Sequence, residues 1–273
     1  MANARTTALV PPHVAKWQFV EEHARGVLDA HAHREVRPPL SRDDGSLAGL
    51  AACYAAHAAT LGDPVARWYA LGPVLAPDGS ERRRIAVALF GVAEPSAESE
   101  LATLAMTLLE QCGLEGRRLV RGRGAAEATF TVHVGGGLLC EGGRADELVG
   151  RAGGPPTPAV GFVIDLDALV GALADADEGY QPVINVLVSA RDDAATEAAL
   201  AAAGRLRGSG IRTDFEHRPR SADENLAHAA ATGARLLAVV AADGAIELID
   251  VDSGDAESVT ADDLDLRVAQ LLD

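Results

Sequence analysis

Residues able to meet a ligand gather in one stretch. Gly142 and Gly143 run directly into Arg144 and Asp146, and His133 precedes them on a strand-like segment. A glycine pair lets the backbone approach a neighbouring group closely, and Arg144 with Asp146 places opposite charges within one turn. These are materials for the wall of a ligand pocket, with His133 beside it. The same residues would serve equally as an ordinary glycine turn with a solvated ion pair and an exposed histidine. His31 and His33 have the spacing of a chelating pair, but no cysteine or carboxylate accompanies them at a recognised spacing. A solvated helix end is expected there, and no metal. Cys53, Cys112 and Cys140 are scattered, which favours buried reduced thiols over disulfides or a zinc site. There is no Gly-x-Ser-x-Gly, P-loop or dinucleotide fingerprint, and Gly122-Arg-Gly124 lacks a strand-to-helix setting. The residues therefore call for no catalytic group and no cofactor.

The elements that must hold this stretch can be read from periodicity. Cys140 to Val170 reads as a strand end, a glycine turn at Gly142 and Gly143, a short helix, a Gly/Pro-rich loop, a strand from Val160 and a further helix. Upstream, Trp17, Val20, Ala24, Val27 and Leu28 predict a helix from His13 to Ala30, followed by an extended segment from Glu35 to Leu40. An Ala-rich helix is expected from Leu47 to Leu61. Arg67–Val74 and Ile85–Val92 read as a β-hairpin turning at Pro77–Ser80. Ser96 reads as the N-cap of a helix whose stripe includes Leu101, Leu104, Ala105, Leu108 and Leu109. Phe130, Val132 and Val134 alternate with Thr129, Thr131 and His133, so a half-buried strand delivers the glycine turn to its place. The acidic segment Asp175–Pro182 reads as a boundary. Beyond it strands and helices alternate, with a capping box at Ser221–Glu224 and Thr260 placed to cap the last helix. The reading is an α/β chain: an α+β core over residues 1–179 on an antiparallel sheet, then a small, mostly parallel α/β domain over 180–273.

Charge narrows the partners. Forty acidic residues face 24 basic ones, for a formal charge of −16, and Lys16 is the sole lysine. Such a chain repels phosphate backbones unless its arginines segregate. No apolar run reaches the roughly 20 residues that cross a bilayer, so a soluble, cytoplasmic protein without membrane contact is expected.

The order of elements carries a resemblance. Gly142-Gly-Arg-Ala-Asp-Glu-Leu148 and Gly161-Phe-Val-Ile-Asp-Leu-Asp-Ala-Leu169 resemble the Gly-Gly-Arg-Tyr-Asp-Gly-Leu and Gly-Phe-Ala-Ile-Gly-Leu-Glu-Arg-Leu motifs of histidyl-tRNA synthetases. Arg67-Trp-Tyr-Ala-Leu-Gly-Pro-Val74 is similar to the strand of the second class II signature, and Ser96–Leu109 to the helix after it. The last 90 or so residues resemble the family's anticodon-binding domain, including the turn Leu206-Arg-Gly-Ser-Gly-Ile211.

The departures decide what the resemblance implies. The family's ATP-gripping arginines correspond to Ala76 and Ala168, the Gln and Glu for the substrate ammonium to Leu89 and Ala93, and the motif tyrosine to Ala145. Of the histidine-recognition segment only Arg121-Gly122 has a counterpart. The N-terminal region is also shorter than the family's, which implies a reduced core. One preorganised contact to a transition-state phosphate is worth about 3 kcal/mol, so losing two removes many decades of rate. Residues 183–273 hold 8 arginines against 17 acidic residues, a net of −9, opposite to what an RNA-binding face needs. The expectation is a catalytically degenerate, non-enzymatic relative that binds or regulates and senses histidine or a related amino-acid-like molecule. Arg144, Asp146, His133, Gly142 and Gly143 would form its pocket. A homodimer through His13–Leu40 is implied, a protein partner is open, and tRNA binding is not expected. The alternatives are a regulatory subunit of ATP phosphoribosyltransferase and, second, a divergent ATP-dependent histidine-tRNA ligase.

Overall fold

Trp17, Val20, Ala24 and Leu28 lie on one stripe, and the helix they form, α1 (Val14–Ala30), turns that stripe into the core. The computed structural model describes residues 13–39, 46–63, 65–75, 80–122, 130–173, 180, 183–218 and 220–272. Ala76, most of the expected turn at 77–80 and most of the expected boundary at 175–182 lie outside the described residues. The chain divides into two compact units, Met1–Gln181 and Pro182–Asp273.

In the first unit α1 ends with Ala32 in the left-handed region (φ 58°). The amides of Ala32 and His33 return to the carbonyls of Asp29 and Leu28, both at 2.9 Å. This is the Schellman geometry with alanine where glycine is usual. Short strand β1 (Arg34–Glu35) follows and pairs in parallel with β2 (Ala66–Leu75). Helix α2 (Ser46–His57) lies between them in sequence. Strands β2 and β3 (Glu81–Phe90) form the hairpin. Helix α3 (Ser96–Gln111) begins on Ser96 itself, with Pro95 ahead of it already at a helical φ of −61°. The serine therefore makes no cap bond, contrary to the expectation from sequence. Strands β4 (Arg118–Arg121), β5 (Phe130–Val134) and β6 (Gly137–Arg144), helix α4 (Glu147–Arg151), strand β7 (Ala159–Asp165) and helix α5 (Leu166–Ala172) complete the unit. The sheet runs β1-β2-β3-β7-β6-β5-β4, antiparallel throughout except at β1.

Alternation divides the sheet into two faces. Ile85, Val87, Leu89, Phe130, Val132, Cys140, Val160, Phe162 and Ile164 point to α1, α3 and α5 and make the larger core. Ala86, Ala88, Phe90 and Ala159 point the other way, beneath α2 and α4. There Tyr54 of α2 stacks on Phe90 with ring centroids 4.5 Å apart.

Gly142 and Gly143 are not a turn. They sit inside β6, paired with β5 and β7 through Gly142↔Phe130, Gly142↔Phe162 and Gly143↔Gly161. A Cβ on Gly142 would lie 2.4 Å from Phe130 Cζ and 2.7 Å from Phe162 Cβ. Glycine is there to seat an aromatic ring.

The second unit orders its strands β12-β11-β10-β8-β9, from β8 (Val186–Ala190), β9 (Thr213–Glu216), β10 (Leu236–Val240), β11 (Ile246–Asp250) and β12 (Ala256–Val259). Strands β9, β8 and β10 are parallel, and β11 and β12 add antiparallel pairs. Helices α6 (Thr196–Gly208) and α8 (Leu264–Leu272) pack on one face, and α7 (Ala222–Ala231) on the other. Ser221 and Glu224 form the capping box read from the sequence. Thr260 closes a turn onto the Asp263 amide at 3.3 Å, just ahead of α8.

At the end of β9 the buried Glu216 meets Arg220 Nε at 2.7 Å and His228 Nε2 at 3.2 Å, and accepts from the Arg218 amide at 2.8 Å. Burial alone would raise its pKa. The Arg218 amide and the charges of Arg220, His228 and Arg218 outweigh burial and hold it below the usual carboxylate value. The stabilisation this gives is complete above the unfolded-state pKa of about 4.3 and is lost as pH falls through the lower folded-state value.

Two outcomes are expected in chemical denaturation. Gly142→Ala should lose about 3 kcal/mol, because neither aromatic neighbour can move aside, whereas Gly150→Ala, with nothing near its Cβ, should be neutral or gain up to about 1 kcal/mol. Glu216→Gln should lose about 2 kcal/mol at neutral pH and flatten the acid limb of the second unit's stability curve. An unchanged acid limb would count against the role assigned to Glu216.

Candidate functional site

Arg144 and Asp146 come together, but as a clamp. Arg144 Nη2 donates to Asp146 Oδ1 at 2.8 Å, and its Nη1 donates to the carbonyls of Val92 at 3.2 Å and Ala93 at 3.4 Å. The same Asp146 oxygen accepts from the Ala159 amide at 2.8 Å. One ion pair thus ties the exits of β3 and β6 to the entry of β7. In strand alternation Arg144 falls with Gly142 and Val160, on the face packed by α3. His133 lies elsewhere. It pairs with Leu138 at the far end of β6, about 20 Å along the strand from Arg144 at roughly 3.3 Å per residue, and its Nε2 meets Thr131 Oγ1 at 3.1 Å. The five residues singled out in the sequence therefore do not converge on one pocket.

The face beneath α2 has room on it. Its upper half is filled by the chain itself: Leu47 of α2 descends onto Gly161, where a Cβ would lie 2.7 Å from Leu47 Cδ2. Only about 10 Å³ remains among Leu47, Ala88, Phe90, Ala145, Leu148 and Gly161. The lower half is open. A hollow of about 110 Å³ is lined by Arg84, Leu138, Leu139, Cys140, Glu141, Val163 and Asp165. Arg84 pairs with Asp165 across β3 and β7, and Glu141 lies between Thr131 and Val163. Of the expected residues, His133 pairs with Leu138 and Gly142 follows Glu141, so both adjoin residues that line this hollow.

Asp165 has a second task, accepting from the Ala168 amide at 2.9 Å as the N-cap of α5. A larger groove of about 470 Å³ lies by the end of α2, lined by Tyr54, Ala55, Ala58, Gly91 and the 155–158 loop. It has no charged lining residue to direct chemistry.

Arg84, Glu141 and Asp165 were not singled out in the sequence. The signal for Arg84 was its place as the charged residue opening the apolar run Ile85–Phe90. Asp165 stands where the resembled motif has glycine.

The remaining titratable groups are quiet. His33 is buried, not solvated as the sequence suggested, and burial lowers its pKa to about 4 despite a hydrogen bond of 3.1 Å to the His31 carbonyl. Burial also raises the Cys112 thiol to about 11, and Cys140 further, so neither is a nucleophile at neutral pH. Among the described residues no group of three or more His, Cys, Asp or Glu could hold a metal, and no helix is long and apolar enough to cross a membrane.

Replacing Asp146 with alanine tests the clamp. It frees the buried Ala159 amide and unpairs Arg144, and should cost about 2 kcal/mol in urea titration, whereas a ligand-only role would leave stability unchanged.

Comparison with known proteins gives this geometry its relatives. No family model matches the chain. Histidine–tRNA ligase of Pyrococcus abyssi is 32% identical over 156 residues, covering 54% of this chain and 35% of that protein, so the match spans about a third of the relative's length. The structure of apo histidyl-tRNA synthetase from S. aureus superposes with a TM-score of 0.80 at 19% identity, over 98% of this chain and 99% of that one. Histidyl-tRNA synthetase from Nostoc sp. PCC 7120 gives 0.80 at 14% identity over the whole of both. A Bacillus halodurans structure described as an ATP phosphoribosyltransferase regulatory subunit/histidyl-tRNA synthetase gives 0.68 at 12% identity, over 88% of this chain and 98% of that one. The chain is histidyl-tRNA synthetase-like, homologous in sequence to the ligase over those 156 residues and alike in fold over nearly all of its length.

Proposed function

We propose that this chain is a non-catalytic relative of histidyl-tRNA synthetase that binds a small amino-acid-like molecule in the open half of the sheet face and acts by regulation. The observation that carries the reading is the hollow itself. Its volume of about 110 Å³ falls below the roughly 300–1,000 Å³ of ordinary small-molecule sites, and two carboxylates, Glu141 and Asp165, line it together with one guanidinium, Arg84, a set that suits a zwitterion. A nucleotide triphosphate is therefore disfavoured by size. Ala76, at the position of the family's α-phosphate-gripping arginine, and Ala168, at that of the arginine that stacks near the adenine, act in the same direction.

The organisation we propose is a synthetase-like core over residues 1–179 and an anticodon-binding-type domain over 180–273. The chain pairs as a homodimer through α1 and β1, sits in the cytoplasm, and binds no tRNA because its second domain carries a net charge of −9. His133, at the edge of the hollow, is the expected residue retained in the ligand site. Arg144, Asp146, Gly142 and Gly143 support it from behind.

ATP–pyrophosphate exchange in the presence of histidine should give no signal above background, while millimolar histidine alone should raise the unfolding temperature. Exchange at a working synthetase's rate would overturn the reading, and a shift with ATP but not histidine would place the ligand among nucleotides. The likeness to the Bacillus halodurans structure supports a second reading, a regulatory subunit of ATP phosphoribosyltransferase. Co-purification with a short catalytic chain of that enzyme would favour it, and failure of the two to associate at micromolar concentration would set it aside.

A further inference from the structure

The second unit holds a cluster that the proposed function does not use. Its sheet reverses direction at β8, since β9 follows on one side through α6 and β10 on the other through α7. In open α/β sheets ligands gather outside the carboxyl ends of the strands. Here the crevice between β8 and β10 is closed, because the Arg191 amide bonds the Val240 carbonyl at 2.8 Å and the Arg191 side chain meets Glu247 at 2.9 Å. The neighbouring edge, above β9 and β8 and under α7, carries Glu216, Arg218, Arg220, His228 and Asn225.

Charge at this edge runs against its surroundings. Elsewhere in the unit arginines meet carboxylates one to one, as Arg191 meets Glu247 and Arg267 meets Glu257, or are outnumbered, as Arg205 is by Asp262 and Asp265. At Glu216 two guanidiniums converge on one carboxylate, both through Nε: Arg220 at 2.7 Å and Arg218 at 3.5 Å. Among the described residues their terminal nitrogens have no partner. Both guanidiniums are drawn to Glu216 by charge rather than by a hydrogen bond, since Arg220 Nε and Glu216 Oε2 are buried without a hydrogen-bond partner, and their outer nitrogens are left for a planar or tetrahedral oxyanion.

A second and independent observation comes from Asn225, which is 3% exposed and lies one turn before His228 on the same face of α7. Asn225 Nδ2 donates to Ser189 Oγ at 2.8 Å, and Ser189 Oγ in turn donates to the Ala190 carbonyl at 3.3 Å. That leaves Asn225 Oδ1 buried and without a donor. Ser189 is the cross-strand neighbour of Glu216, so the unfilled acceptor belongs to the same edge. The α7 amides do not account for it, since the Ser221–Glu224 box closes that terminus.

An unfilled acceptor among cationic forks selects an anion that still carries a proton. A carboxylate or sulfate has none near neutrality, whereas a phosphate group, with a second pKa of about 6, retains one in part. We propose that this edge binds a small phosphate-bearing anion, with Arg218 and Arg220 on the charged oxygens, His228 beside them and Asn225 Oδ1 accepting the P–OH proton.

Equilibrium dialysis of the full chain at pH 6.5 against radiolabelled inorganic phosphate tests this. Saturable binding of one phosphate per chain is expected, resisted by sulfate at matched ionic strength. Arg218→Gln, whose side chain is 73% exposed and dispensable for folding, should weaken it roughly tenfold, the scale of one charge-assisted hydrogen bond. Arg212→Gln, away from the cluster, should leave it unchanged. Absence of saturable binding, equal competition by sulfate, or Arg218→Gln binding as tightly as the parent chain would each overturn the proposal.

Discussion

The ring of Phe130 lying against the bare backbone of Gly142 is the contact on which the first unit depends. It locks β5 onto β6, and the same glycine receives Phe162 of β7 from the other side, so three strands share one register. Side chains alternate with a period of two, and a slip of one residue would exchange every side chain between the faces. Glu141, Val163 and Arg84 would then face the α3 core, and Phe162 and Ile164 would face water. The open hollow exists because that exchange is forbidden.

What occupies the sheet face follows from side-chain size and charge. Small residues at Ala88, Ala145 and Gly161 make a trough, and the chain fills half of it with Leu47. The remaining half is bounded by two carboxylates, Glu141 and Asp165, and one guanidinium, Arg84. The fold seen in histidyl-tRNA synthetases thus carries a small hollow of mixed charge on this face. In the second unit an acidic exterior surrounds one locally cationic edge.

Some features were legible in the residues because they are local. The stripe of α1, the alternation in β5 and the Ser221–Glu224 box each depend on spacing within a few positions, the β2–β3 hairpin joins strands consecutive in the chain, and each stands in the structure. Strand β12 was not anticipated, because its four residues carry no apolar alternation and form a strand only beside β11. Ser96 misled because a good capping side chain looks the same in sequence whether or not the preceding proline has already begun the helix.

By itself the sequence determined the order of elements, the acidic balance, the kinship carried by the 142–148 and 161–169 motifs, and the absence of cations at Ala76 and Ala168. Tertiary structure alone decided which residues share a surface. Gly142 and Gly143 read as a turn because glycine pairs usually make one, yet pairing with β5 and β7 on both sides draws them into the centre of a sheet. Arg144 and Asp146 read as pocket residues because charge near glycine suggests access, yet they close a junction of three strands. Arg84, Glu141 and Asp165 are separated by 57 and 24 positions in the chain and meet only across strands. Local pattern cannot report such a meeting, because the energy that brings these residues together lies in the packing of the opposite face.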